Sequence, residues 1–240
     1  MIVMFTDFGP GDPYVGQMHA VLAREAPQTP VIDLLHAVPN FDIRAAAYLL
    51  PAYTRDFPTE TIFLCIVDPG VGSTRRPVML RADMRWYVGP DNGLFHVLAQ
   101  QTQHSAAYAI QWRPVQLSVS FHGRDLFAPV AASLARGEMP AAEPTALTIP
   151  DGDWPGDLAQ VVYIDHYGNA ITGLRAVSMT PERVLRCGNS IVTYARVFSE
   201  APSQTPFWYV NANGLVEIAV NQSSAASRLN LRVGTTLTIV

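Results

Sequence analysis

Three stretches of this sequence combine residue types that can do chemistry. The segment DPGVGSTRR, residues 68–76, puts an acid, two glycines and two arginines within nine residues. A glycine-rich loop with arginine can cradle a phosphate, and an Asp–Arg pair can orient a small polar group such as water. The segment lacks the lysine and the spacing of the nucleotide-binding phosphate loop. An ordinary turn at residues 68–70 is the alternative interpretation.

The second stretch is FHGRD, residues 121–125, directly before a predicted helix. Histidine is a common general base, and the glycine-containing turn distinguishes His122 from the other five histidines. The third feature is a set of acids that end apolar segments, namely Asp7, Asp68 and Asp165. Ligands bind beyond the carboxyl ends of parallel strands, so these acids are candidate site residues. Asp12 is either a binding residue or the N-cap of a helix that starts at Pro13.

The elements that must position these residues alternate along the first part of the chain. Apolar runs predict strands, and a stripe of apolar residues at helical spacing predicts a helix after Asp12. Predicted strands cover 1–6, 30–35, 61–67, 77–81 and 85–88, and predicted helices start at 13 and cover 43–50, 93–101 and 124–136. This alternation predicts an α/β N-terminal domain, residues 1–140, with a mostly parallel sheet.

The composition changes after the first domain. Residues 141–157 are rich in proline and glycine, which predicts a linker. Residues 158–240 contain strand-like segments, and Asn213-Gly214 between two of them is a strong hairpin signal. We expect a small all-β C-terminal domain, either a barrel or a sandwich.

Composition excludes several classes of protein. Apolar residues make up 49% and charged residues 15%, which is the reverse of the balance in a disordered chain. The net charge of -4 argues against a nucleic-acid partner, and no apolar run is long enough for a spanning helix. All 16 basic residues are arginine, which excludes Schiff-base chemistry on lysine. The two cysteines have no metal-binding spacing, so we expect a cytoplasmic protein without a disulfide framework.

Six segments, in order, resemble one enzyme family. They are TDFGPGDPYVGQMHAVL, IVDPGVGSTRR, VGPDNGLF, FHGRDLFAP, IDHYGN and NANGLVEIAVNQSSAA. Together they resemble the S-adenosylmethionine (SAM) hydroxide adenosyltransferases, or SAM hydrolases, which are related to the SAM-dependent fluorinases and chlorinases. The resemblance extends from Ile2 to about Ser227.

The resemblance implies a reaction in which water or hydroxide displaces methionine from the ribose C5′ of SAM. The products are adenosine and L-methionine, and neither a cofactor nor a metal is required. The family's catalytic Asp, Arg and His match Asp68, Arg75 and His122. The halogenase relatives differ at these positions, so the intact trio favours water over halide as the nucleophile.

The resemblance also implies the substrate-binding residues. Asp7 matches the acid that holds the ribose diol, Asn169 the amide that reads adenine, and Asp165 the acid that holds the methionine amino group. The remaining expected binding residues are Asp12, Phe41, Phe121, Gly123, Phe198 and Asn211. For Phe121 and Phe198, core packing is the alternative to ligand contact. Ala212 stands where relatives have a serine that binds the methionine end, and Glu217 matches the hydrolase pattern without an assigned role.

In the family, SAM lies between the N-terminal domain of one subunit and the C-terminal domain of the next, so the resemblance implies a homotrimer with interfacial sites. Three alternatives stay open from the sequence. They are a SAM- or adenosine-binding module with little turnover, an adenosyl transferase that uses a halide or another nucleophile, and a metal hydrolase that uses Asp7, Asp12 and histidines.

Overall fold

A computed structural model describes residues 1–152 and 154–240. The chain divides into two units. The first unit consists of Met1–Ala47 and Asp56–Gly152. The second consists of Tyr48–Arg55 and residues 154–240. Among the described residues, each unit is built on one seven-stranded sheet.

The sheet of the first unit has the strand order β2-β1-β3-β5-β4-β6-β7. Its strands are β1 Ile2–Thr6, β2 Val31–Leu35, β3 Ile62–Ile66, β4 Pro77–Ala82, β5 Arg85–Pro90, β6 Ser105–Ile110 and β7 Ala142–Thr145. The helices in this part of the chain are α1 Pro13–Glu25, α2 Ile43–Thr54, α3 His96–Gln101 and α4 Ala128–Ala135, and α2 is divided between the units after Ala47.

This sheet is mixed, so the expectation of a mostly parallel sheet was only partly right. The pairs β1–β2, β1–β3 and β3–β5 are parallel. Strand β4 runs antiparallel to β5 and β6, and β6 runs antiparallel to β7. Only Asp83 and Met84 join β4 to β5, with φ angles of 42° and 68°. Positive φ at both central residues is typical of a tight hairpin turn, whereas a parallel pair needs a crossover of about a dozen residues.

The centre of the first sheet is apolar on both faces. All five residues of β1 and all five of β3 are buried. Helix α1 packs its apolar stripe, Met18, Val21 and Leu22, into the same core. Pro13 is the first residue of α1, and the Asp12 side chain makes no capping hydrogen bond. The acid that precedes α1 is therefore not committed to the helix end.

Strand β7 lies within the segment that the sequence predicted as a linker. It pairs with β6 and forms the edge of the sheet. The Arg76 guanidinium anchors it by donating from Nη1 to Thr145 Oγ1 at 2.6 Å and from Nη2 to Asp91 Oδ2 at 2.5 Å. Proline at position 144 is compatible with an edge strand, because one side of that strand needs no partner.

The sheet of the second unit has the order β14-β10-β11-β12-β13-β9-β8 and is nearly barrel-shaped. Gln160 in β8 forms a bridge with Thr236, just before β14, which brings the two edges of the sheet together. Its strands are β8 Leu158–Ile164, β9 Ala170–Arg175, β10 Leu185–Cys187, β11 Ser190–Tyr194, β12 Pro206–Val210, β13 Leu215–Val220 and β14 Thr238–Ile239. A short helix, α5 Ala225–Leu229, and the end of α2 make this unit less than all-β.

We predict that Gly89→Ala destabilises the first unit. A Cβ at residue 89 of β5 would lie 2.2 Å from the carbonyl oxygen of Cys65 and 3.0 Å from the Phe95 ring. Overpacking of this kind costs about 1–3 kcal/mol, measurable by urea denaturation.

Gly16→Ala is the matched control, because a Cβ at this exposed position in α1 meets nothing within 4 Å. It should raise the free energy of unfolding by about 0.5–1 kcal/mol through helix propensity. If Gly89→Ala unfolded at the same urea concentration as the original protein, the close approach of β3 and β5 would be wrong.

Candidate active site

One guanidinium group holds two of the predicted catalytic side chains. Arg75 Nε donates to Asp68 Oδ1 at 2.9 Å, and Arg75 Nη2 donates to Asp68 Oδ2. Arg75 Nη2 also lies 2.9 Å from Nδ1 of His122. Arginine has no acceptor atom, so Nδ1 must be the acceptor and the proton of the neutral imidazole is on Nε2. The trio predicted from the sequence is therefore one hydrogen-bonded group.

The loop after β3 brings Asp68 and Arg75 together. The Val71 backbone N–H donates to Asp68 O at 3.2 Å, and the Arg75 N–H donates to Ser73 Oγ at 3.2 Å. Gly72 has a φ of 79°, and a Cβ there would lie 2.6 Å from the carbonyl oxygen of Val119. Glycine is needed at position 72, because the loop must both turn and pack against the segment that leads to His122.

His122 is placed by an irregular helix start. The predicted helix 124–136 begins with a π-helical turn, Gly123–Phe127, which runs into α4. Such wider turns are frequent at functional sites, since they re-aim side chains. A Cβ at Gly123 would meet the Phe121 and Phe8 rings at 3.2 Å, so glycine is favoured here too. The Arg75 guanidinium lies 5.2 Å from the centre of the Phe127 ring, which adds a cation–π contact.

Electrostatics keep His122 neutral. Burial of the imidazole lowers the pKa of His122, and the nearby Arg75 charge lowers it further. The Asp68 charge opposes this effect without overcoming it. The Asp68 and Arg75 side chains are only 6% and 9% exposed, so their ion pair is shielded from water. A neutral imidazole with a free Nε2–H can donate a hydrogen bond to a ligand.

A cleft of about 340 Å³ opens beside this group. Its walls carry acids and aromatic rings together with Asp68 and His122, and Arg75 lies behind these two residues rather than on the wall. The lining residues are Asp7, Phe8, Asp12, Tyr14, Asn40, Phe41, Ile66, Asp68, Val71, Ser120, Phe121, His122 and Gly123. Seven residues predicted for the site, Asp7, Asp12, Phe41, Asp68, Phe121, His122 and Gly123, are therefore brought together here.

Asp7 shapes the opposite wall of this cleft. Its Oδ2 accepts a hydrogen bond from the Phe41 backbone N–H at 3.0 Å. Phe41 has a φ of 63°, which is uncommon for an aromatic residue, and its side chain is 72% exposed. Burial raises the pKa of Asp7, while the Phe41 N–H lowers it. The Asp7 carboxylate lines the cleft, so it is accessible to a ligand there.

Several wall residues were not expected from the sequence. Phe121 packs edge-to-face on Tyr14 at 5.4 Å and on Phe8 at 5.8 Å. Tyr14 is nearly half exposed, and Val71 adds apolar surface beside Asp68. These residues are sequence neighbours of predicted ones, and that proximity was the only signal that could have identified them.

The second unit carries a cleft of its own, of about 470 Å³. Its lining includes two predicted binding residues, Asn169 and Phe198, together with Tyr167, Val220, Gln222, Ser223 and Ser224. Asp165 organises the turn beside it, since Oδ1 accepts from the Asn169 backbone N–H at 2.8 Å and Oδ2 accepts from Asn169 Nδ2 at 2.9 Å. The Asn169 amide is thereby oriented, and its carbonyl oxygen remains an acceptor.

Asn211 has its side chain engaged within the β12–β13 hairpin. Its Oδ1 accepts from the backbone N–H groups of Asn213 and Leu215, and its Nδ2 donates to Glu217 Oε2 at 2.9 Å. Tyr209 donates its hydroxyl to the other Glu217 oxygen at 2.7 Å. Glu217 is 5% exposed, and burial raises its pKa. The structure therefore gives Asn211 and Glu217 a role in fixing the turn that carries Ala212.

The described residues contain no group of three or more His, Cys, Asp or Glu side chains arranged to hold a metal ion. The helices in this part of the chain are all too short or too polar to cross a membrane.

Comparison with known proteins identifies the class that this fold and site define. Residues 2–143 match the N-terminal domain of the SAM hydroxide adenosyltransferases, and residues 159–238 match the C-terminal domain. The chain therefore belongs to the SAM hydroxide adenosyltransferase family.

Named relatives agree with this assignment. A protein of Thermus thermophilus named (R)-S-adenosyl-L-methionine hydrolase is 38% identical, over 97% of this chain and 96% of its own. A protein of the same name from Salinispora arenicola is 39% identical, over 98% and 95%. A fluorinase of Actinopolyspora mzabensis is more distant, at 26% identity over 98% of this chain and 95% of its own.

A solved structure shares the fold. The crystal structure of an uncharacterized conserved protein from Thermotoga maritima superimposes with a TM-score of 0.84 and 30% identity, over 100% of this chain and 99% of that one.

We predict that NMR of the unliganded protein finds His122 in the Nε2–H form, with a titration midpoint below the ordinary histidine value of 6.5. Because the unfolded chain binds this proton more readily, His122 should make folding less favourable as the pH falls below about 6.5. A midpoint above 6.5, or a proton on Nδ1, would contradict the Arg75–His122 hydrogen bond.

Proposed function

We propose that this protein hydrolyses SAM to adenosine and L-methionine by attack of water at the ribose C5′. The observation that carries the proposal is the Arg75 guanidinium, which holds Asp68 and His122 together at the wall of a cleft. The family assignment supports SAM as the substrate, and relatives that match over nearly their full length are named SAM hydrolases.

The reaction is an in-line displacement on carbon. The water oxygen forms a bond to C5′ while the C5′–S bond breaks. The electron pair of the C5′–S bond stays on the sulfur, which leaves as neutral methionine. Asp68 accepts one water proton, and the Nε2–H of His122 donates to the water oxygen and fixes its direction. Since a sulfonium is already a good leaving group, positioning the water and excluding bulk solvent provide most of the catalysis.

Arg75 acts in this scheme as a positioning residue. It lies behind Asp68 and His122, fixes the imidazole tautomer and balances the buried Asp68 charge. Arg75 balances the Asp68 charge overall, but only Asp68 lies on the cleft wall, so an anionic nucleophile in the cleft is nearer to the negative group and is disfavoured. This supports water over halide, although the fluorinase relationship keeps halide transfer as the alternative to test.

The proposed binding roles divide between the two units. In the first unit, Asp7 holds the ribose diol, and Phe41, Phe121 and Gly123 enclose the nucleoside beside Asp12. In the second unit, Asn169 reads the adenine edge, Asp165 holds the methionine ammonium, and Phe198 forms an apolar wall. Asn211 supports the methionine end through the turn that its side chain fixes.

We also propose that SAM binds between subunits of a homotrimer. Each unit presents an open cleft with part of the required groups, and the rim of the first carries the exposed aromatic side chains of Phe41 and Tyr14. Burial of such surface against a neighbouring subunit would exclude water from the reacting atoms. The proposal includes no cofactor and no metal. It also places the protein in the cytoplasm, which the free thiols of Cys65 and Cys187 support.

The purified protein should convert SAM into equal amounts of adenosine and methionine, separated by chromatography, with no change on adding EDTA or chloride.

Asp68→Ala should lower kcat by about 10²–10⁴, because it removes the proton acceptor. Glu138→Gln is the control, since it removes the charge of an exposed acid after α4 that pairs with Arg136. Intact SAM recovered with the protein would favour a binding module, and loss of activity in EDTA would favour a metal hydrolase.

Asp7→Ala should raise KM for SAM and leave kcat nearly unchanged, because it removes a contact made equally in the ground and transition states. Initial rates over a range of SAM concentrations separate the two constants. An unchanged KM would remove the diol-binding role from Asp7, while the assignment of Asp68 would stand.

A further inference from the structure

Asp125 is a charged residue of the FHGRD segment that the proposed chemistry does not use. Its side chain is 17% exposed and makes three hydrogen bonds. Asp125 Oδ2 accepts from the Ser118 backbone N–H at 2.9 Å and from Arg124 Nη2 at 3.0 Å, and Oδ1 accepts from Arg124 Nε at 2.6 Å. The Arg124 guanidinium holds the pKa of Asp125 below its ordinary value, so the carboxylate is charged at neutral pH.

The bond to Ser118 closes a loop around His122. Asp125 lies in the π-helical turn, and its backbone N–H donates to Phe121 O at 3.2 Å. Ser118 Oγ in turn accepts from the Ser120 backbone N–H at 3.3 Å. Hydrogen bonds therefore hold both ends of the segment 118–125, and His122 lies between these bonds. A catalytic side chain on an untied loop would sample many positions, so these ties restrict where the imidazole can lie.

The segment held by the Asp125–Ser118 hydrogen bond also contacts the loop between Asp68 and Arg75. Val119 follows Ser118, and its carbonyl oxygen sits against Gly72, where a Cβ would approach within 2.6 Å. Gly72 lies in the sequence between Asp68 and Arg75, which form the buried ion pair. The contact between the loops therefore depends on the position of the Ser118–Val119 backbone, which Asp125 fixes.

We propose that Asp125 is a positioning residue for the hydrolysis, which holds His122 against Arg75 through its hydrogen bond to the Ser118 backbone. The proposal rests on the proposed function for its kinetic consequence only. Its structural consequence, the geometry of His122, can be measured without substrate.

The Ser118 bond and the Arg124 ion pair make different predictions for Asp125→Asn. An asparagine has the same shape, and its side-chain oxygen can still accept from the Ser118 N–H. It loses the negative charge and places an NH₂ group near Arg124. If the Ser118 bond is what matters, Asp125→Asn keeps most of kcat and Asp125→Ala does not.

The matched control is Asp157→Ala in the second unit. Asp157 also accepts one backbone N–H, from Arg175 at 2.8 Å, and a bidentate guanidinium, from the same arginine at 2.9 and 2.7 Å. Its removal breaks the same kinds of bond, together with one more from Ser178 Oγ at 2.6 Å, without touching residues 118–125. If Asp125→Ala lowers kcat more than Asp157→Ala does, the excess is due to the change in residues 118–125.

The experiment measures kcat and KM for SAM, and the ring-nitrogen NMR shifts of His122 without SAM, in all three variants at a temperature where each is folded. We expect Asp125→Ala to lower kcat about 10- to 100-fold, a usual cost of a small displacement of a catalytic group. KM should change little, and the His122 ring should become a mixture of both tautomers. Asp125→Asn and Asp157→Ala should keep the Nε2–H form and most of kcat.

The proposal is overturned if His122 in Asp125→Ala keeps the pure Nε2–H form with an unchanged kcat. It is also overturned if Asp125→Asn is as impaired as Asp125→Ala, since the charge would then matter rather than the Ser118 bond. If the original protein does not hydrolyse SAM, the proposed function fails, while the His122 shifts still decide whether Asp125 holds the imidazole.

Discussion

The contact between one arginine and two partners is the constraint on which the site depends. Asp68 is almost fully buried, and a buried carboxylate without a cation or hydrogen-bond donors would be strongly destabilising. Arg75 supplies both, and its fixed fork leaves one N–H for His122. An arginine stays protonated at physiological pH, so its guanidinium can only donate hydrogen bonds. The His122 imidazole must therefore accept at Nδ1, which requires its neutral form. One guanidinium therefore pairs with the Asp68 carboxylate and sets the tautomer of the His122 imidazole.

Three parts of the first unit hold that arginine in place. The buried strand β3 delivers Asp68 at its carboxyl end, and the turn through Gly72 brings Arg75 back over it. The π-helical turn presents His122 from the other side, and Phe127 closes over the guanidinium. Glycine is needed at Gly72 because the carbonyl of Val119 occupies the space of a side chain. The two loops therefore pack closely against each other at Gly72 and Val119.

Sequence reasoning could find the chemistry more readily than its geometry. Asp68 and His122 stood out because an acid ended an apolar strand and a histidine preceded a helix. That Arg75 lies behind them depends on the path of the loop, which residue types alone do not specify. The mixed sheet was missed because apolar strands look alike in either direction, although the three residues between the predicted strands 77–81 and 85–88 are too few for the crossover that a parallel pair needs. For Asn211, similarity to relatives gave no warning that its polar atoms would be used within the turn.

The central claim is that water attacks C5′ from a position set by Asp68 and His122. The most direct test runs the reaction in water labelled with heavy oxygen and locates the label by mass spectrometry of the separated products. The account predicts one labelled oxygen in adenosine, at the 5′-hydroxyl, and none in methionine. Label in methionine, or adenosine formed without label, would show that another bond is broken or another nucleophile is used.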